Sequence, residues 1–102
     1  MRVVRLVQSL SHTQKANVVI GKQLLRLETS VAVNYRAACR AQSIAEFKSK
    51  ISVVFEEVDE CLFWMELLME SGIVKSSLLE NLYHESEEML NIVAVARKNA
   101  KT

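Results

Sequence analysis

Cationic side chains recur at Lys15, Lys22, Arg26, Arg36 and Arg40. At 100° per residue all five fall within about 40° of Lys22, along one edge of a helix. Such an edge can neutralise phosphates without reading a base sequence, or pair with carboxylates of another surface. The other reactive groups do not assemble into a centre. His12 and His84 are the only histidines. His84 and Glu88 stand four residues apart, the spacing of a helix-surface contact. No Glu-x-x-His pair recurs on a second helix, as a di-metal bundle requires. The acidic run from Phe55 to Glu60 reads as a solvated or inter-subunit face. The only glycines, Gly21 and Gly72, are too far apart for a phosphate loop. Cys39 and Cys61 lie inside helical patterns, outside any Cys-x-x-Cys pair, and read as reduced, partly buried thiols of a cytoplasmic protein. No catalytic residue, metal ligand or cofactor is expected, and the chain does not read as an enzyme.

The elements that carry this edge follow from composition. The chain has 102 residues, half of them hydrophobic, with no proline. One domain over residues 1–102 is expected, mostly helical because breakers are scarce. The longest charge-free run, Leu6 to Gln14, is too short to span a bilayer, so no membrane partner is expected. The N-terminus lacks the apolar core and cleavage site of a signal peptide. The net charge of +1 conceals a strong segregation. Residues 1–50 hold nine Lys/Arg against two acids, residues 51–96 one base against ten acids, and the tail adds Arg97, Lys98 and Lys101. The halves either fold against each other or present themselves to something of opposite sign.

Four helical segments are expected, at about 2–10, 14–41, 44–71 and 77–99. They make an all-α, antiparallel up-and-down four-helix bundle with a shortened first helix. Segment 2–10 places Val3, Val7 and Leu10 on one side, and Ser11–Thr13 breaks it. In segment 14–41, Ile20, Leu24, Leu27, Val31, Tyr35 and Ala38 oppose the basic edge. Gly21 inside it costs about 1 kcal/mol relative to Ala, which close approach of another helix could offset. Ser43 is the expected N-cap of segment 44–71, with Glu46 at the capping-box position and Gly72 as the stop. Phe47, Ile51, Val54, Val58, Leu62, Met65 and Met69 share its apolar face. Its acidic side carries Glu56, Glu57, Asp59, Glu60, Glu66 and Glu70, but also Phe63, Trp64 and Leu67. Three large apolar groups there mark an expected subunit interface flanked by Glu56 and Glu60. In segment 77–99, Leu79, Leu82, Ser86, Met89, Val93 and Ala96 keep helical spacing.

These residues resemble a known family. Gln23-Leu24-Leu25-Arg26, Thr29-Ser30-Val31, Asn34-Tyr35-Arg36-Ala37-Ala38, Glu46-Phe47, Glu56-Glu57, Asp59-Glu60, Trp64 and Glu66-Leu67-Leu68 are similar to the bacterial four-helix-bundle proteins known as 23S rRNA intervening-sequence proteins. The resemblance implies an antiparallel four-helix bundle that assembles as a homopentamer and acts on RNA without established catalysis. Two departures stand out. Leu27-Glu28 and Ala32-Val33 occupy places where the family usually has Ser-Gly and Gly-Ala, and Glu28 is expected as the one acid near the basic edge. Met1 also falls inside the family's longer first helix, so the groove between segments 14–41 and 77–99 is expected to be partly uncovered.

Two functional readings follow. In the first, a homo-oligomer meets rRNA or another nucleic acid through Lys15, Lys22, Arg26, Arg36 and Arg40. In the second, a structural protein docks this basic helix on the acidic helix of a neighbouring subunit and has no nucleic-acid role. Tyr35 is placed on the core side, which leaves no aromatic among the cations for base stacking.

Overall fold

The computed structural model describes residues 15–71 and 76–100, with side chains described from Val18 to Glu70, at Ser77, and from Leu79 to Ala100. Three helices make up these residues: α1 Lys15–Cys39, α2 Ile44–Ser71 and α3 Ser76–Asn99. No strand occurs among them, so the protein is all-α. Segment 2–10, the Ser11–Thr13 break and the Gly72 stop lie outside the described residues.

The ends of these three helices lie within two residues of the limits 14–41, 44–71 and 77–99. Helix α1 ends where Arg40 and Ala41 bond back to Ala37 and Ala38, three residues behind, tightening the last turn. Three residues later the chain re-enters helix at the predicted cap. Ser43 Oγ accepts from the Glu46 amide at 3.0 Å. The reciprocal arm differs from a capping box, because the Glu46 carboxylate reaches past Ser43 to the Gln42 amide at 3.3 Å.

Two clusters set the topology. Leu24 and Leu27 of α1 pack with Cys61, Met65 and Leu68 of α2 and with Leu79 and Leu82 of α3. Val31 and Ala38 pack with Ile51, Val54 and Val58 and with Val93. Residue numbers rise along α1 and α3 while they fall along α2. The outer helices are therefore parallel to each other and antiparallel to the central one. Each packs along α2, but their Cα traces do not approach within 8 Å of one another. The order is thus a central helix with two flanking helices and a groove between the flanks.

The predicted apolar stripes form these clusters, with one correction. Tyr35 is 43% exposed rather than core-facing. It stands about 220° from Lys22 around α1, beyond the arc that α2 covers. Phe47, Met69, Met89 and Ala96 are partly buried at the cluster margins.

Polar and cation–ring contacts tie the described helices together. Asn34 Nδ2 donates to Glu57 Oε1 at 2.9 Å and to Ser30 Oγ at 3.2 Å, joining α1 to α2. Tyr83 Oη donates to Glu66 Oε1 at 2.7 Å, joining α3 to α2. The Arg97 guanidinium lies 4.0 Å above the Phe55 ring.

Candidate nucleic-acid and assembly surfaces

The basic edge forms on α1 because apolar residues at helical spacing commit the opposite face to α2. Lys22, Arg26, Arg36 and Arg40 are all exposed. Lys15 opens the helix, and its side chain lies outside the described set. Arg26 is held: its Nε and Nη2 donate to Gln23 Oε1 at 3.2 and 3.0 Å. Its Nη2 also approaches Glu60 Oε1 of the same chain at 4.0 Å. Lys22, Arg36 and Arg40 have no side-chain partner among the described residues. Val33, 63% exposed, sits among these cations, about 20° from Lys22 around the helix. Sequence reasoning passed over it, although its angle was readable.

The topology adds further cations. The C-terminal ends of α1 and α3 and the N-terminal end of α2 lie at the same end of the molecule. Arg36 and Arg40 therefore share that end with Lys48, Lys50, Arg97 and Lys98, against Glu46 as the one acid of those turns. Arg97 faces Phe55, so the positive end wraps around α2 rather than continuing the α1 edge in a line.

The expected interface residues divide into two groups. Phe63 is 51% exposed, with its ring edge-on to Trp64 at 5.2 Å and 71°. Trp64 is half-buried against the first core cluster, and its Nε1 donates to Glu60 Oε1 at 3.4 Å. Leu67 is half-buried and Glu56 exposed. Glu60 is engaged by both Trp64 and Arg26, so it is not an open carboxylate. Val53, 39% exposed, lies about 20° from Trp64 around α2 and roughly 16 Å along it, with Glu57 and Glu60 between.

Other reactive groups are accounted for locally. His84 meets Glu87 at 3.2 Å rather than the expected Glu88, and both are solvent-facing. Among the described residues no group of three or more His, Cys, Asp or Glu could hold a metal ion. Cys39 and Cys61 are free thiols, the first exposed and the second buried. Burial, and then the neighbouring carboxylates of Glu28, Glu60 and Glu57, push the Cys61 thiol up to about 12. The bond to Glu66 and partial desolvation push the Tyr83 hydroxyl up to about 12. No helix among the described residues is long and apolar enough to cross a membrane.

A groove of about 180 Å³ opens between the flanking helices. Val31, Val58, Cys61, Met65, Leu82 and Met89 form its apolar lining, with Glu28 and Glu85 on opposite walls. Glu28 was expected beside the basic edge; it turns into this groove instead. Its Oε2 is buried and meets no hydrogen-bond donor among the described residues. Burial raises its carboxyl above the usual range.

Fold and surface together define a small helical protein with a charged edge and an apolar outer patch. Residues 1–94 match the family model of the 23S rRNA-intervening sequence protein, and the chain belongs to that family. It is also similar to a solved structure from Bacteroides thetaiotaomicron, a protein of unknown function from the S23 ribosomal protein family. The two are 33% identical, with a TM-score of 0.85, over 96% of this chain and 87% of that one. Comparison with curated proteins gives no match.

Proposed function

We propose that this protein is a non-enzymatic, homo-oligomeric nucleic-acid-associated protein that engages rRNA or another polyanion through the cations of α1. The supporting observation is the exposed set Lys22, Arg36 and Arg40, joined at one end by Lys48, Lys50 and Lys98. A polyanion crossing that end meets several cations at once, and counterion release supplies the affinity. The family's description, which refers to an rRNA intervening sequence, agrees with RNA as the polyanion. Segment 2–10 completes an antiparallel four-helix bundle. The assembly is a homopentamer built on the outer face of α2, where Phe63, Trp64 and Leu67 lie. The free thiols fit a reducing, cytoplasmic setting. Binding of structured RNA at low and moderate salt, for the native chain and for Arg36→Gln/Arg40→Gln, tests this reading.

A second reading rests on the Arg26–Glu60 approach of 4.0 Å, which joins the basic and acidic faces within one chain. Repeated between chains, the same pairing makes α1 a docking surface for the α2 of a neighbour, with no nucleic-acid role. The double variant then weakens assembly, and charge compensation at Glu56 or Glu60 partly restores it.

A further inference from the structure

The end of the molecule that gathers the cations also carries a step. Tyr83 bonds to Glu66 and Arg97 lies over Phe55, and these two contacts fix the register of α3 against α2. By that register the end of α3 at Asn99 stands level with about residues 50–53 of α2, which begins at Ile44. The first turns of α2 therefore project roughly 10 Å beyond α3. At this step lies a depression of about 430 Å³, lined by Ala41, Gln42, Ser43, Ile44, Phe47 and Ala100. Its floor is apolar. Phe47 sits at the end of the second core cluster, and the small side chains of Ala41 and Ala100 leave that end without a cap. Ile44, in its wall, is 51% exposed.

Cations stand within two residues of this lining at the ends of all three helices. Arg40 adjoins Ala41, Lys48 adjoins Phe47, and Lys98 precedes Ala100 by two. Lys48 follows Ile44 by four residues, on the same side of α2. Glu46, the one acid of these turns, lies about 160° from Lys48 around α2, and its carboxylate accepts from the Gln42 backbone amide. The Gln42 side chain has no hydrogen-bond partner among the described residues. Ser43 Oγ accepts from the Glu46 amide and keeps its own proton to donate. A positive rim around an apolar floor calls for an anion that carries a flat apolar surface. An unpaired nucleotide has both, with a phosphate on either side of a base whose edge is polar. A base inside a duplex is stacked on both faces. Duplex phosphates would reach the cations and leave Ile44 in water.

We propose that this depression is a subsite for one unpaired nucleobase of a bound RNA. The base lies on Ile44 and the Phe47 ring, its polar edge meets Gln42 and Ser43, and the flanking phosphates meet Arg40 and Lys48. This deepens the RNA reading given above and rests on it, narrowing the ligand from any polyanion to RNA with unpaired bases. The aromatic ring comes from α2 and the nearest arginine from the end of α1, so the combination exists only in the fold.

Fluorescence anisotropy at low salt, on the full chain, compares two labelled hairpin RNAs with the same stem and loop length. In the second, every loop base is replaced by an abasic ribose, so both carry the same phosphates. The native chain is expected to bind the intact loop about five- to tenfold more tightly, the effect of one stacked base at the lower end of its range. Ala100→Phe fills the depression, and Ile44→Ser removes its exposed apolar wall. Both variants are expected to bind the intact loop no more tightly than the abasic one, with abasic affinity unchanged. Equal native affinity for the two hairpins overturns the subsite and leaves phosphate binding standing. No affinity for either hairpin overturns both. A preference kept by both variants places the base elsewhere and overturns the subsite. So does a fall in the light-scattering mass of Ala100→Phe, which marks the depression as a contact between subunits.

Discussion

Cys61 ties the stability of the bundle to alkaline pH. Its side chain is 7% exposed between α1 and α3, and three carboxylates lie around it. Its thiol is pushed from the ordinary 9.0 up to about 12, so the folded protein holds the proton after the unfolded chain has lost it. The contribution is fully present below pH 9 and is lost as pH rises toward 12. Each pH unit in that window costs about 1.4 kcal/mol, so by pH 11 the loss approaches roughly 2–3 kcal/mol. For a domain of this size that corresponds to a fall in Tm of about 10–20 °C. Tyr83 also titrates in this range, so the informative quantity is the difference between the native chain and Cys61→Ala. Thermal melts followed by circular dichroism are run from pH 8 to 11, under reductant and at one protein concentration, because assembly makes Tm depend on concentration. Cys61→Ala is expected to be less stable at pH 8 and to lose stability with a shallower slope above pH 9. Parallel slopes for the two proteins would refute a buried, neutral thiol.

Three further outcomes follow from the packing. Leu68, fully buried where α2 meets both flanking helices, is expected to cost about 2–5 kcal/mol when replaced by Ala, read from chemical denaturation. Ser43→Ala removes the oxygen that accepts from the Glu46 amide and is expected to cost about 1 kcal/mol in the same assay. Trp64→Glu or Leu67→Glu is expected to reduce the mass measured by light scattering to that of one 11.6 kDa chain while helicity is largely kept. A native mass already equal to one chain at micromolar concentration contradicts the assembly reading.

The helices were legible because their signals are local. Apolar spacing placed the stripes, Ser43 and Glu46 marked the start of α2, and scarce glycine left few alternatives. Tyr35 was misplaced because a wheel drawn for one helix assumes a symmetric core arc. Here α2 covers one flank of α1, and the other borders the groove. For the same reason Glu28 read as an acid near the basic stripe, although about 120° separates it from Lys22. Only the parallel arrangement of α1 and α3 shows that its carboxylate enters a groove. The cationic end was likewise hidden. Lys48, Lys50 and Lys98 are remote from Arg36 in sequence or belong to other helices, and antiparallel packing brings them to one end. The Arg26–Glu60 approach depends on the register of α1 against α2, which no single-helix pattern contains.

The nucleic-acid reading is tested most directly by the salt dependence of RNA binding. Fluorescence anisotropy of a labelled structured RNA, titrated with protein at about 50 and 200 mM salt, gives the slope of log K against log salt. Each phosphate neutralised contributes roughly −0.7 to −0.9. The account predicts measurable binding at low salt, a steep fall at higher salt, and a slope reduced by about two units in Arg36→Gln/Arg40→Gln with the assembly intact. Native protein that shows no affinity for structured RNA at low salt contradicts it.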